Sequence, residues 1–235
     1  MCPSELTGGK QVERRFAIAT KEVTVEQFLR FRRKHAVATQ PASGPDYPVN
    51  VVTWYDAAAY CRWLSEQEGI PEDQMCYPPL AEIKDGMKPC PGYLSRTGYR
   101  LPTEAEWELA CRAGAATPRF FGRSLELLPH YAWYADNSGI RLHAVGTVKP
   151  NDLGLFDTLG NAMEWCQNTA GWLGPPGPDV EEAGAVRSDV FRATRGGTHH
   201  SAAAQMRAVQ RDPLAPPTPW YSLSFRVART HKPRP

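Results

Sequence analysis

Apolar residues recur at helical spacing in the first half of this chain and give way to short alternating runs in the second. Val25 to Phe31 reads as a helix with Thr24 as its N-cap. Trp54, Ala57, Ala58, Cys61 and Leu64 place a second helix from Thr53 to near Gly69. Thr103-x-x-Glu106 is a capping box, so Glu104–Arg112 is predicted as a third helix, entered through the extended Pro102 and closed by Gly114. Arg15–Ala19 alternates as a short strand. Further strands are predicted at Ala144–Val148, Glu164–Gln167, Phe191–Arg195, Gln205–Val209 and Ser224–Ala228. His35–Pro48 and Pro71–Arg96 read as loops. Helices first and strands later make an α+β protein, expected as one domain over residues 1–235.

Composition changes this picture little. The 22 prolines and 19 glycines fit a loop-rich fold, and seven tryptophans supply apolar mass for a core. A net charge of +2 gives no general field for nucleic acid. No apolar run reaches the roughly 18 residues of a membrane span, and the N-terminus lacks an apolar signal segment. A cytoplasmic monomer with no nucleic-acid or membrane partner is therefore expected. Cys2, Cys61, Cys76, Cys90, Cys111 and Cys166 contain no C-x-x-C pair and no zinc spacing. Reduced thiols are expected, with Cys61 and Cys111 as packing residues. Cys76 and Cys90 share one loop and leave a disulfide open as the alternative.

Four runs carry more specific information: Gly98–Ala113 (GYRLPTEAEWELACRA), Asp152–Trp165 (DLGLFDTLGNAMEW), Arg195–Thr198 (RGGT) and Phe225–Arg229 (FRVAR). In this order they resemble the formylglycine-generating enzyme family, also called the sulfatase-modifying-factor domain. The resemblance covers nearly the whole chain, Arg15 to Arg229. It implies a C-type lectin-like fold with two main helices, small antiparallel sheets and long loops. The glycine-rich first strand of the family is reduced here to Gly8-Gly9-Lys10.

The resemblance also implies chemistry, and here the chain departs from it. Oxidase members hold copper with two cysteines after the R-G-G-S run. Counted from Gly196, those places hold Ser201 and Met206, and no cysteine follows Cys166. Copper chemistry lacks its thiolates, so no copper and no catalytic activity are expected. Calcium-binding members imply a site built from the Asp157 and Glu164 side chains with the Gly160 and Ala162 carbonyls. Carboxylates flanking a turn suit a hard cation. The same carboxylates also serve to cap turn amides or to pair with an arginine. A second calcium position, near Asn137-Ser138, lacks its acidic residue. Arg207 and Arg211 are expected to pair with scaffold carboxylates. The adjacent His199 and His200, on an extended segment, would point to opposite faces.

Between the fixed R-G-G and F-R-V-A-R runs stand His199, His200, Ser201, Ala202, Ala203, Ala204, Asp212, Leu214, Ala215, Thr218, Tyr221 and Ser222. Each can be coded by a triplet that differs from an asparagine codon only at its adenines. Trp220 and Gln205 cannot. This is the residue set that a diversity-generating retroelement leaves, and its variable proteins resemble this chain. The expected function is a non-catalytic, ligand-binding scaffold, its partner a protein or other macromolecule. The expected binding residues are His199, His200, Ser201, Ala203, Asp212, Leu214, Thr218, Trp220, Tyr221 and Ser222, displayed on one face. Arg195, Gly196, Gly197, Arg207, Arg211, Phe225 and Arg226 are the expected anchors. Two alternatives stay open: a fixed pseudo-enzyme interaction domain of a kinase-linked protein, and an oxidase or related enzyme acting on a peptide or thiol.

Overall fold

Three helices open on the same device, a threonine whose hydroxyl accepts the amide three residues on while that residue's side chain accepts the threonine's own amide. They are α1 (Val25–Phe31, Thr24 with Gln27), α2 (Trp54–Gln67, Thr53 with Asp56) and α3 (Glu104–Arg112, Thr103 with Glu106). The computed structural model describes residues 12–36, 44–171 and 179–231. Cys2, the Gly8-Gly9-Lys10 stretch, the Gly174–Pro178 run and the tail beyond His231 lie outside the described residues.

All three predicted helices are present within a residue or two of the expected ends. The exit of α3 differs in detail: Ala113 already takes the left-handed conformation (φ 47°), one residue before Gly114. Among the described residues seven short strands form two sheets. β1 (Phe16–Ile18), β7 (Ala228–Thr230) and β2 (Tyr99–Arg100) make an antiparallel sheet in that order. β5 (Arg211–Leu214), β4 (Arg192–Arg195), β3 (Met163–Thr169) and β6 (Leu223–Ser224) make the second. In the second sheet β3 and β6 run parallel, pairing Met163 with Leu223 and Glu164 with Ser224.

Two expected strands are absent. Residues 144–148 form a turn whose Val145 amide is bonded to Asp46 O at 2.9 Å. Residues 205–209 belong to a short helical turn and a bend. The strand in that region lies further on, at Arg211–Leu214, where Pro213 pairs with Ala193 at the sheet edge. An edge strand tolerates a residue without an amide hydrogen.

The main core lies between α1, α2 and both sheets. Phe28, Trp54, Trp165 and Phe225 are all 0% exposed within it. Phe225 rests on Tyr60, ring centroids 5.4 Å apart, and on Phe28 at 6.2 Å. A second cluster sits beneath α3 and contains Trp107, Cys111, Leu159, Cys166 and Met206. The five described cysteines are free thiols, Cys76 and Cys90 included. Burial pushes the Cys76 and Cys111 thiols up to about 12, which makes them inert at neutral pH.

Candidate functional site

The segment that follows β4 begins with two glycines that no other residue replaces easily. Gly196 and Gly197 have φ of 95° and 73°, and a Cβ on Gly197 would meet Met206 Cε at 2.5 Å. Arg195, just before them, lies beneath this turn. Its guanidinium donates to the Val209 and Gln210 carbonyls at 3.0 and 3.1 Å, pairs with Glu104 and Glu108 of α3, and covers the Trp107 ring at 5.5 Å. Arg211 pairs with Glu104 at 3.0 Å. The chain then turns through 198–201, so His199 and His200 are not on an extended stretch. Their rings touch, 4.9 Å apart at 84°.

The returning loop brings the other expected contact residues to the same place. Tyr221 lies 6.1 Å from the His199 ring and 5.9 Å from His200, and Trp220 lies 6.4 Å from His200. Four rings, twenty residues apart in sequence, thus form one cluster. The loop that carries the last two is tied down at both ends: Trp54 N donates to Pro216 O at 2.9 Å and Val51 N to Trp220 O at 3.1 Å. Met163 N bonds Ser222 O at 2.9 Å.

Exposure within the expected binding set is uneven. Tyr221 is 39% exposed, and His200, Ser201, Ala203, Asp212, Leu214, Thr218 and Trp220 are half-buried. His199 and Ser222 are buried at 0%, contrary to the expectation that they are displayed. The His199 amide and Nδ1 both point at the Asn161 carbonyl, at 2.8 and 3.1 Å, which pulls the side chain inward. A carbonyl only accepts, so Nδ1 carries the proton and Nε2 presents a bare lone pair. That Nε2 has no partner, nor has Nδ1 of His200 or the Ser222 hydroxyl. Burial lowers the His199 ring to about 4 and also lowers His200, so both are neutral at pH 7. At the two copper-cysteine positions, Ser201 Oγ accepts from Thr198 N at 3.0 Å, and Met206 is a 0% exposed thioether in the second core cluster. Arg207 corrects another expectation. Its side chain is exposed, and none of the salt bridges among the described residues includes it.

Asn161 is the hub beneath this face, and it takes φ 55° to reach its partners. Its side chain accepts from His143 N at 3.0 Å and donates to Glu22 Oε1 and His143 O, each at 3.2 Å. Its amide donates to Trp133 O at 2.7 Å. Next to it, a Cβ on Gly160 would meet that same Trp133 oxygen at 2.1 Å. Trp133 stacks on His143 with centroids 3.7 Å apart and planes within 8°. His143 Nε2 in turn meets Ser138 O at 2.8 Å, and nothing in the spacing of Trp133 and His143 pointed to their stack. Asn137 and Ser138 serve the same loop: Asn137 caps Tyr134 N at 2.8 Å, and the Ser138 hydroxyl donates to His199 O at 2.6 Å.

The expected calcium residues have other partners. Glu164 is 0% exposed and spends both oxygens on Arg226, each at 2.6 Å, while Trp107 Nε1 adds a third bond at 2.8 Å. Asp157 Oδ2 accepts from Gly146 N at 2.6 Å, leaving Oδ1 without a partner. Gly160 and Ala162 shape the turn between them. Among the described residues no group of three His, Cys, Asp or Glu side chains is arranged for a metal. With the Arg226 guanidinium clamped by Glu164, the site does not fit a calcium ion, because a fixed cation already occupies the field of its strongest ligand. Burial, followed by the charges of Asp157 and Glu164, holds the Glu22 carboxyl well above its ordinary range. Burial likewise raises Asp157 to about 6.

A family model for the sulfatase-modifying factor enzyme 1-like domain matches residues 8–231. The chain belongs to this family. The formylglycine-generating enzyme of Bos taurus is 31% identical over 80% of this chain and 46% of its own length. The serine/threonine-protein kinase pkn1 of Chlamydia pneumoniae is 26% identical over 96% of this chain and 34% of its own. Among solved structures, Treponema denticola variable protein 1 superposes with a TM-score of 0.73 at 28% identity, covering 91% of this chain and 84% of that one. The chain spans about half the length of the formylglycine-generating enzymes it matches. The α+β architecture is that of the C-type lectin-like fold in its sulfatase-modifying-factor form.

The histidine geometry sets a pH dependence. An unfolded histidine titrates near 6.5, and the folded His199 near 4. A lowered folded pKa means that stability is present above pH 6.5 and lost as pH falls toward 4. Asp157 works with the opposite sign, its contribution being lost as pH rises from about 3.9 to 6. His199→Gln isolates the histidine. The wild type's advantage in melting temperature over this variant should narrow between pH 7 and pH 4.5. A constant gap across that range excludes the buried neutral imidazole.

Proposed function

We propose that this sulfatase-modifying-factor domain is a non-catalytic scaffold that binds a protein ligand through the His199–Ser222 face. One observation carries the reading. The loop that would hold two copper thiolates carries Ser201 and a buried Met206, and brings His199 and His200 against Trp220 and Tyr221. Aromatic rings on a rigid frame give large contact area at small entropic cost. The likeness to Treponema denticola variable protein 1 supports a diversified segment. The likeness to the chlamydial pkn1 kinases favours, as the second reading, a fixed interaction domain of a kinase-linked protein.

The test separates the two. The DNA flanking the gene is sequenced across isolates. A neighbouring reverse transcriptase, with substitutions in the codons for 199–222 confined to sites that are adenine in a nearby near-copy of the 3′ end, supports diversification. An invariant segment leaves the fixed domain. In either case a copper-loaded sample should not turn over a cysteine peptide, and turnover overturns the non-catalytic reading.

Display also predicts tolerance. Replacing His200, Ser201, Thr218 and Tyr221 together, with Ser201 changed to threonine so that its bond from Thr198 N is kept, should cost about 0.5 kcal/mol or less per site in urea unfolding, since none is a core residue. Collapse of the fold on that combined change removes the display reading.

A further inference from the structure

Just past β1 the chain bows away from the strand beside it. Ala19 N donates to Val227 O and Val23 N to Phe225 O, both at 2.9 Å. Four steps on one side thus match two on the other, and Phe156 N draws the surplus outward by its bond to Thr20 O at 2.8 Å. Bulges of this kind re-aim side chains beside binding sites. Here the bow leaves a cleft of about 270 Å³ against α1 and α2, walled by Thr20, Val23, Gln27, Tyr60, Leu64 and Val227. Tyr60 is fixed in this wall. Its ring stacks on Phe28 at 5.5 Å and meets Phe225 and Trp63, each at 5.4 Å, and the residue is only 4% exposed. A tyrosine buried this far ordinarily finds a partner for its hydroxyl. The Tyr60 hydroxyl has none among the described residues, and it is not one of the polar atoms sealed in the interior. It opens instead on the cleft that its side chain lines. Burial raises its pKa above the ordinary range, so at neutral pH it keeps its proton and can donate it.

The two charged residues of the bow turn elsewhere. Lys21 Nζ lies over the Phe156 ring at 5.2 Å and 3.5 Å from Val145 O, and Glu22 Oε1 accepts from the Asn161 side chain at 3.2 Å. The cleft therefore offers hydrogen bonds and apolar walls but no formal charge. We infer that it binds a small neutral aliphatic molecule bearing one carbonyl, an amide being the type, with the Tyr60 hydroxyl donating to the carbonyl oxygen. Val23, Leu64 and Val227 take the aliphatic body. Gln27, whose side-chain oxygen already accepts Thr24 N at 3.0 Å, has its amide nitrogen left as a second donor. Apolar walls with a few placed polar groups are what small-molecule pockets use to bind and to orient. The site shares no residue with the His199–Ser222 face and stands apart from the ligand proposed there.

The experiment titrates the nitrogen-15-labelled full chain with isovaleramide and follows the amide chemical shifts, with isovalerate at matched ionic strength as the charged counterpart. Isovaleramide should give saturable shifts centred on Thr20–Thr24, Tyr60, Leu64 and Val227, and isovalerate should bind more weakly. Tyr60→Phe removes only a hydroxyl without a partner. Its melting temperature should stay within about 2 °C of the wild type's, while its affinity for isovaleramide falls about threefold to tenfold, the worth of one neutral hydrogen bond. Absence of saturable shifts, or affinity unchanged in Tyr60→Phe, overturns the site. Equal or tighter binding of isovalerate overturns the neutral class of ligand. A Tyr60→Phe chain that melts many degrees lower overturns the free hydroxyl on which the site rests.

Discussion

Replacing Glu164 by alanine should cost about 3–5 kcal/mol of stability whether or not calcium is present. The loss follows from what remains. Arg226 is 0% exposed and would keep its charge with no hydrogen-bonded carboxylate, its remaining bonds going to the Ala19 and Phe156 carbonyls, each at 3.0 Å. Trp107 Nε1 would lose its acceptor in the same step. Breaking one partner of a buried pair is worse than removing both, since the survivor is left uncompensated. Urea unfolding of wild type and variant in calcium and in chelator measures this. Equal losses in the two buffers support the ion pair. A wild type that gains stability with calcium, beside a variant that does not, returns Glu164 to a ligand's role.

Phe225→Ala should cost about 3–5 kcal/mol, the range for emptying a large aromatic site in a packed core. Phe225 is 0% exposed against Tyr60 and Phe28, and its carbonyl accepts Val23 N at 2.9 Å. Its neighbours in sequence therefore hold the returning loop to the first sheet. The comparison that matters is internal. One truncation at 225 should outweigh the combined change at 200, 201, 218 and 221, although the sites lie within one segment. If the single and combined changes cost the same, the division between frame and displayed surface does not exist.

The sequence discloses what is local. Thr103 and Glu106 are three residues apart, so their reciprocal bonds could be read directly, and α3 begins where they say. Distant partners are not legible in this way. Glu106 also bonds Arg100 at 2.6 and 2.7 Å, against the pull of burial, and that guanidinium holds its carboxyl down at about 2. Glu164 and Arg226 are 62 residues apart, and only the fold reveals that the turn carboxylate serves this arginine. Pro213 concealed β5, because the cue that normally argues against a strand is harmless at a sheet edge. The binding face was legible as a set of residue types, and the four rings do converge. Which of them would be buried was not, since the inward pull on His199 comes from the carbonyl of Asn161, 38 residues away.

The fastening of the returning loop has a consequence for its evolution. Pro216 O is fixed to the first residue of α2 and Trp220 O to Val51 just before it, and Leu223 and Ser224 are fixed in register beside Met163 and Glu164. One inserted residue between 216 and 223 would either detach a fastening or slip β6 by one place, which would exchange its inward and outward side chains. The loop can therefore change its letters but not its length. A lineage that explores new partners through this face should vary by replacement alone, with every copy carrying the same number of residues between the two fastenings.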